Sequence, residues 1–233
     1  MIMFPRALLE RAYARRLRRA LTSVPRHVAI VTDGNPGHVS KVLTWCGEVG
    51  ISCVTVYAAA VSEPRGAEVD HLTLLISEVC RTRPGQPSSR WRLRVAGRVD
   101  VLPDATRTAL KEAEEATRGR PWTLTVAIGY DGRAEVVEAV RRQLSEAAAL
   151  GETPSTLAAR FDPADIDVHL WVSGLPDTDL VIRTSGERRM SGFLLWQSAF
   201  SELYFCDVYW PGFRKIDFLR ALRAYAGRMA AVD

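Results

Sequence analysis

Strand-length apolar runs alternate with amphipathic helical stretches along the whole 233-residue chain, and that alternation restricts the fold more than any other feature. The apolar runs lie at 27–32 (H-V-A-I-V-T), 54–59, 93–96, 124–128, 168–172, 180–182 and 202–205. Helical patterns fall between them at 37–48, 66–82, 104–117, 132–149, 155–160 and 216–229. Apolar strands joined by helices build a mostly parallel sheet with right-handed crossovers. The expectation is a single-domain α/β fold, its mostly parallel sheet flanked by helices, with ligands beyond the carboxyl ends of the strands. The length suits one large domain better than two small ones.

Composition excludes several other classes. Hydrophobic residues make up 47% and charged residues 25%, the balance of a globular chain with a core. No apolar run approaches the roughly eighteen residues of a membrane span, and arginines interrupt the first apolar residues too often for a signal peptide. A cytoplasmic protein is expected. Cys46, Cys53, Cys80 and Cys206 form no C-x-x-C pair and meet no histidine at zinc spacing, so they read as buried, reduced thiols. Of the 31 basic residues 28 are arginine, a bias that a GC-rich genome also produces. It carries little weight for phosphate binding, and no nucleic-acid partner is expected.

The charge is unevenly placed. Residues 1–26 hold seven arginines against the single acid Glu10, within a chain whose net charge is +4. Over 4–21, Leu8, Leu9, Ala12, Tyr13, Leu17 and Leu21 share one helical face, with arginines opposite. The favoured reading is a helix docked on the domain with a solvated basic face. The other is peripheral contact of 4–21 with an anionic membrane. The chain thus divides into a basic amphipathic helix at 1–24 and a main domain at 25–233. The stretch R-T-R-P-G-Q-P-S-S-R at 81–90 reads as a mobile surface loop.

Two segments carry chemistry. D-G-N-P at 33–36 follows the first strand, where a parallel sheet places catalytic and metal-binding groups. Gly34 lets a ligand approach the backbone, and Asn35 before Pro36 reads as a helix N-cap whose free N–H groups face an anion near Asp33. An ordinary strand-to-helix turn explains these residues equally well. In D-L-V-I-R-T-S-G-E-R-R-M-S at 179–191, a buried strand ends in Arg183, a Ser-Gly turn follows, and Arg188, Arg189 and Ser191 come next. Arginine forks match phosphate oxygens in pairs and a serine hydroxyl adds a donor, so an anion site is favoured over a surface salt-bridge cluster. A diphosphate there also calls for a cation, and Glu202 in F-S-E-L-Y-F is a candidate second carboxylate for it.

The runs P-R-H-V-A-I-V-T-D-G-N, G-I-S-C-V-T-V-Y-A, G-Y-D-G-R-A-E-V-V and D-L-V-I-R-T-S-G-E-R-R-M-S-G-F-L-L-W-Q-S-A-F-S-E-L-Y-F, in that order, resemble the cis-prenyltransferases of the undecaprenyl diphosphate synthase type. The resemblance implies a six-stranded parallel sheet wrapped by helices, a homodimer, and Mg²⁺-dependent condensation of isopentenyl and allylic diphosphates. It implies Asp33 as the Mg²⁺-linked aspartate at the allylic diphosphate, with Gly34, Asn35 and His38 beside it. It further implies Arg183, Arg189 and Ser191 at the isopentenyl diphosphate, Glu202 as the glutamate that helps place Mg²⁺, and Arg65 as a further substrate contact. Leu43, Trp45, Leu72, Leu75, Ile76 and Val79 are candidates to line a dry apolar pocket; plain core is the competing reading.

Four departures from the family pattern stand out. Pro36 replaces the Arg-Trp-Ala run after D-G-N and the following loop is shortened; A-A-V-S-E-P-R at 59–65 replaces S-x-N-W. Gly192 replaces the asparagine of S-N-F, and the R-x-G end is absent. The isopentenyl side reads as intact and the allylic side as rebuilt. That asymmetry points first to a prenyl diphosphate synthase that makes short chains or couples with altered regiochemistry. The alternatives are a terpene synthase-like enzyme that ionises one prenyl diphosphate (a lyase or cyclase) and a non-catalytic partner subunit.

Overall fold

The computed structural model describes residues 6–32, 38–59, 66–80 and 87–232. In chain order its elements are α1 (Arg6–Arg19), β1 (His27–Val31), α2 (Val39–Val49), β2 (Cys53–Ala59), α3 (Gly66–Cys80), β3 (Trp91–Gly97), α4 (Asp104–Thr117), β4 (Trp122–Ile128), α5 (Gly132–Ala149), α6 (Pro154–Arg160), α7 (Pro163–Asp167), β5 (Leu180–Arg183), β6 (Glu202–Phe205) and α8 (Lys215–Val232). The strands form one six-stranded, wholly parallel sheet in the order β3-β4-β2-β1-β5-β6.

Burial follows position in the sheet. Central β1 is buried at all five residues because helices or turns cover both faces, whereas edge strand β3 alternates buried and half-buried positions. Val28, Ile30, Val54 and Val56 point into a core shared with α2, α3 and α8. Ala29, Val31, Ala127 and Val181 point the other way, against Tyr130, Val172, Phe193 and Leu194. Each large apolar side chain buried here contributes about 1.5–3 kcal/mol.

One expectation is corrected. Segment 168–172 is not a strand but a run of turns after α7. The short helix α7 starts in a capping box between Asp162 and Asp165, and alternate apolar residues then go to different clusters, Leu170 with Ala139 and Val172 with Val181. Helix α2 starts at Val39 with His38 at the N-cap, and the cap expected at Asn35 and Pro36 lies outside the described residues. The first six residues of the 81–90 loop lie outside the described residues; Pro87–Arg90 form a 3-10 turn. Helix α1 docks as the favoured reading had it: Leu17 is buried, Glu10 pairs with Arg214 at 2.9 Å, and the Arg220 guanidinium lies over the Tyr13 ring.

The topology itself points to a site. Strands β2, β4 and β3 lie on one side of β1, while β5 and β6 lie on the other. The chain therefore switches direction between β1 and β5, and a crevice opens beyond their carboxyl ends.

Candidate active site

Two threonine hydroxyls tie the strand ends around that crevice. Thr32 Oγ1 donates to the Tyr57 carbonyl at 2.6 Å, and Thr184 Oγ1 donates to the Val31 carbonyl at 2.9 Å. Both side chains are buried, so β1, β2 and β5 end on a fixed platform. Arg183 closes β5 level with Val31 and Phe205, and its carbonyl accepts the Cys206 N–H at 2.8 Å. Its Nε is buried with no hydrogen-bond partner among the described residues. A buried guanidinium N–H without an acceptor is costly and rare, and an incoming anion would satisfy it.

The turn after Arg183 is pinned to the segment that follows β6. Ser185 and Gly186 both have positive φ, 71° and 69°. Their N–H groups donate to the carbonyls of Val208 and Cys206 at 2.9 and 3.0 Å. Beyond the turn, Glu187 and Arg189 form a two-pronged ion pair at 3.0 and 3.3 Å. Each holds the other charged: the arginine keeps the Glu187 carboxyl below its ordinary range, and the carboxylate raises Arg189. Arg189 is 83% exposed, so its fork lies at the lip of the crevice and exchanges partners at little cost.

Ser191 is held from behind by α5. Its φ is 52° and that of Gly192 is 75°, and the Gly192 carbonyl accepts the Gly132 N–H at 3.1 Å. The two backbones touch so closely that a Cβ on Gly132 would sit 2.3 Å from the Gly192 oxygen and 2.6 Å from Leu195 Cβ. One turn further along α5, the fully buried Glu135 accepts from the Tyr130 hydroxyl, from Gln197 Nε2 at 3.1 Å and from the Trp171 N–H at 2.9 Å. Burial raises the Glu135 pKa; these donors pull it back down without cancelling the shift. Sequence reasoning missed this network, although a glutamate within the buried stripe Gly132, Glu135, Ala139, Gln143, Ala147 was a readable signal.

His38 heads α2 with its ring edge-on to Trp45 at 5.9 Å and to Trp210 at 6.0 Å. Partial burial, then the nearby Lys41 charge, lower its pKa, so the ring is neutral near pH 7. Trp45 continues this aromatic wall onto Phe213 and Phe218. Leu43, Leu72, Leu75 and Val79 are fully buried in the main core, with Trp45 and Ile76 partly buried against it.

Of the site residues expected from the sequence, Arg183, Arg189 and Ser191 thus share one loop at the crevice. Asp33, Gly34, Asn35 and Arg65 lie outside the described residues. Glu202 does not join the loop within one chain. It opens β6 level with Leu180, three residues and about 10 Å of strand from the Arg183 level, and it pairs with Arg228 at 3.1 Å. Among the described residues no three His, Cys, Asp or Glu side chains are grouped to hold a metal ion.

Comparison with known proteins agrees with this geometry. Residues 32–232 match the family model described as undecaprenyl diphosphate synthase. An isoprenyl transferase of Streptomyces fradiae is 49% identical over 244 residues, covering 93% of this chain and 94% of its own. A (2Z,6E)-farnesyl diphosphate synthase of Thermobifida fusca is 44% identical over 242 residues, covering 94% and 95%. The crystal structure of lavandulyl diphosphate synthase from Lavandula x intermedia, in complex with dimethylallyl diphosphate, superposes with a TM-score of 0.74 at 25% identity, covering 87% of this chain and 95% of that one.

Proposed function

Since the chain belongs to the undecaprenyl diphosphate synthase family and is a prenyltransferase, we propose that it condenses isopentenyl diphosphate with a short allylic diphosphate to give a short-chain Z-prenyl diphosphate. The observation that carries this reading is the buried Nε of Arg183, without a partner among the described residues, at the switch point of the sheet. Arg183, the Arg189 fork and the Ser191 hydroxyl are the donors for the isopentenyl diphosphate. Asp33, with Gly34 and Asn35, serves the allylic diphosphate, and Arg65 is a further contact.

Mg²⁺ suits this donor set, because hard carboxylate and diphosphate oxygens are its preferred ligands. Bound by Asp33 and Glu202, it would take up charge on the departing diphosphate as the allylic C–O bond ionises. The neutral His38 ring contributes hydrogen bonding rather than charge beside the allylic group. The aromatic wall of Trp45 and Trp210 keeps water from the cation. Trp45 and the tightly packed Leu43, Leu72, Leu75 and Val79 leave little depth for a growing chain, which supports a short product.

Edge strand β6 supports a homodimer. Leu203 and Phe205 are more than a third exposed, Tyr209 is 71% exposed, and Phe200 is fully exposed. The exposed Arg15, Arg16 and Arg19 of α1 support peripheral contact with an anionic membrane. The terpene synthase-like and partner-subunit readings are not favoured, because the relatives are named as transferases and synthases.

The test is to incubate the purified protein and Mg²⁺ with dimethylallyl, geranyl or farnesyl diphosphate, each with and without isopentenyl diphosphate, and to identify products by mass spectrometry. A longer diphosphate should form only when both substrates are present. A hydrocarbon or alcohol from one substrate alone would overturn the proposal.

A further inference from the structure

A groove of about 640 Å³ opens where α5 meets the carboxyl end of β3, and it shares no residue with the Arg183–Ser191 turn. Four arginines line it. Arg98 is paired with Asp100 at 2.7 Å and Arg142 with Glu138 at 3.2 Å, so those two cations and the two acids of the groove neutralise each other. Arg133 and Arg141 are exposed and have no ion pair among the described residues. Eight residues apart on α5, they are separated by about 12 Å along the helix axis. Between them lie Ala134 and the 48% exposed Val137.

The base of the groove is preformed. Trp171 is held by its N–H bond to the buried Glu135 and by an edge contact to Tyr130 at 5.4 Å. It packs on the sheet face turned away from α2 and α3. The amino end of α5 is already occupied by Asp131, which accepts from Arg133 N at 2.9 Å and Ala134 N at 3.4 Å. The attraction for an anion therefore comes from the two guanidinium groups rather than from the helix end. Two uncompensated cations flanking an apolar floor match an anion that carries an apolar body.

We propose that this groove is a second anion site, separate from the catalytic crevice, which takes a small organic phosphate or diphosphate with its apolar body over Val137 and Trp171. Isothermal titration of inorganic pyrophosphate, without Mg²⁺, into the full-length protein tests the anion part. The double variant Arg133→Ala/Arg141→Ala should lose one binding event, weakened at least about tenfold as expected for two lost guanidinium contacts. Arg183→Ala should keep that event while weakening any other. The control Arg118→Ala/Arg223→Ala removes the same net charge from exposed positions elsewhere and should leave the isotherm unchanged. Identical isotherms for the wild type and the groove variant would overturn the proposal, as would an equal loss in the control. The apolar part is tested by phenyl phosphate, which should bind the groove more tightly than inorganic phosphate; equal binding would refute that part. None of these readouts requires prenyltransferase activity, so failure of the functional reading and failure of the groove remain distinguishable.

Discussion

The Nε2 atom of His27, the first residue of β1, lies 2.8 Å from the buried hydroxyl of Thr55 on β2, while its Nδ1 lies 2.8 Å from the Pro176 carbonyl. A carbonyl only accepts, so Nδ1 carries the proton and Nε2 accepts from Thr55. Burial lowers the His27 pKa below its ordinary value of 6.5, against the smaller opposing pulls of the Pro176 carbonyl, Asp179 and Asp177. Below that value the unfolded chain holds more protons than the folded one, so stability falls as pH drops from 6.5 toward the folded-state pKa. Glu135 shifts the opposite way, but it is common to both proteins compared and cancels. Urea denaturation of wild type and His27→Gln should show a stability difference of about 1–2 kcal/mol at pH 7.5 that shrinks toward pH 5. A difference independent of pH would show that the ring does not titrate with folding.

Gly132 touches the Gly192 carbonyl too closely to accept a side chain. In Gly132→Ala the added methyl must push the Ser191–Gly192 turn away from α5, and overpacking of this kind costs about 1–3 kcal/mol. The expected result is a lower thermal midpoint together with a several-fold rise in KM for isopentenyl diphosphate and a smaller change in kcat. A destabilised variant with unchanged KM would separate this contact from substrate binding.

Much of this was legible in the sequence, for identifiable reasons. Strands such as β1 and β4 are continuous apolar runs that only a doubly covered sheet buries, and helices such as α4 and α5 carry clear 3.6-residue periodicity. The misreading of 168–172 arose because five apolar-rich residues in a turn, split between two clusters, look like a short buried strand. The loop after β5 was legible because arginines at a strand's carboxyl end have few other uses. The buried Glu135 was readable, but its partners Trp171 and Gln197 and the Gly132–Gly192 contact were hidden, because they join residues 36 to 62 positions apart. Glu202 was linked to the cation by the resemblance and by the charge of a diphosphate, whereas the first residue of a strand in a parallel sheet lies at the amino end, away from the crevice.

On the proposed reading Arg189 would leave its pair with Glu187 to reach substrate, which an exposed salt bridge permits at small cost. Arg189→Ala should raise KM for isopentenyl diphosphate about tenfold or more, the loss of roughly one charge-assisted contact, and leave the allylic KM nearly unchanged. Arg189→Lys should recover only part of the loss, since an ammonium lacks the planar fork. Equal effects on both substrates in steady-state kinetics would undo the assignment of this loop to isopentenyl diphosphate.

Trp45 stands behind His38 and against Phe213 and Phe218, and on the proposed reading it would limit the depth available to a growing chain. Trp45→Leu keeps an apolar wall but removes the bulk of both indole rings. The product should lengthen by at least one isoprene unit, read by mass spectrometry after hydrolysis of the diphosphate. An unchanged product from an active variant would place the length limit elsewhere.

Glu202 poses the sharpest question, because one chain places it at the amino end of β6 while Arg183 ends β5 at the carboxyl end. Edge strand β6 offers a resolution. Two copies pairing antiparallel along it about a two-fold axis would set Glu202 of each copy level with the carboxyl end of the other's β6. Each metal site would then combine Asp33 of one protomer with the glutamate of the second. Asp33→Ala and Glu202→Ala homodimers should both be inactive. Refolding the two variants together should give mixed dimers in which one site carries both lesions and the other carries none, restoring about half of the wild-type activity per mixed dimer. If both carboxylates served the same protomer's site, every site in the mixed dimer would keep one lesion and the mixture would stay inactive.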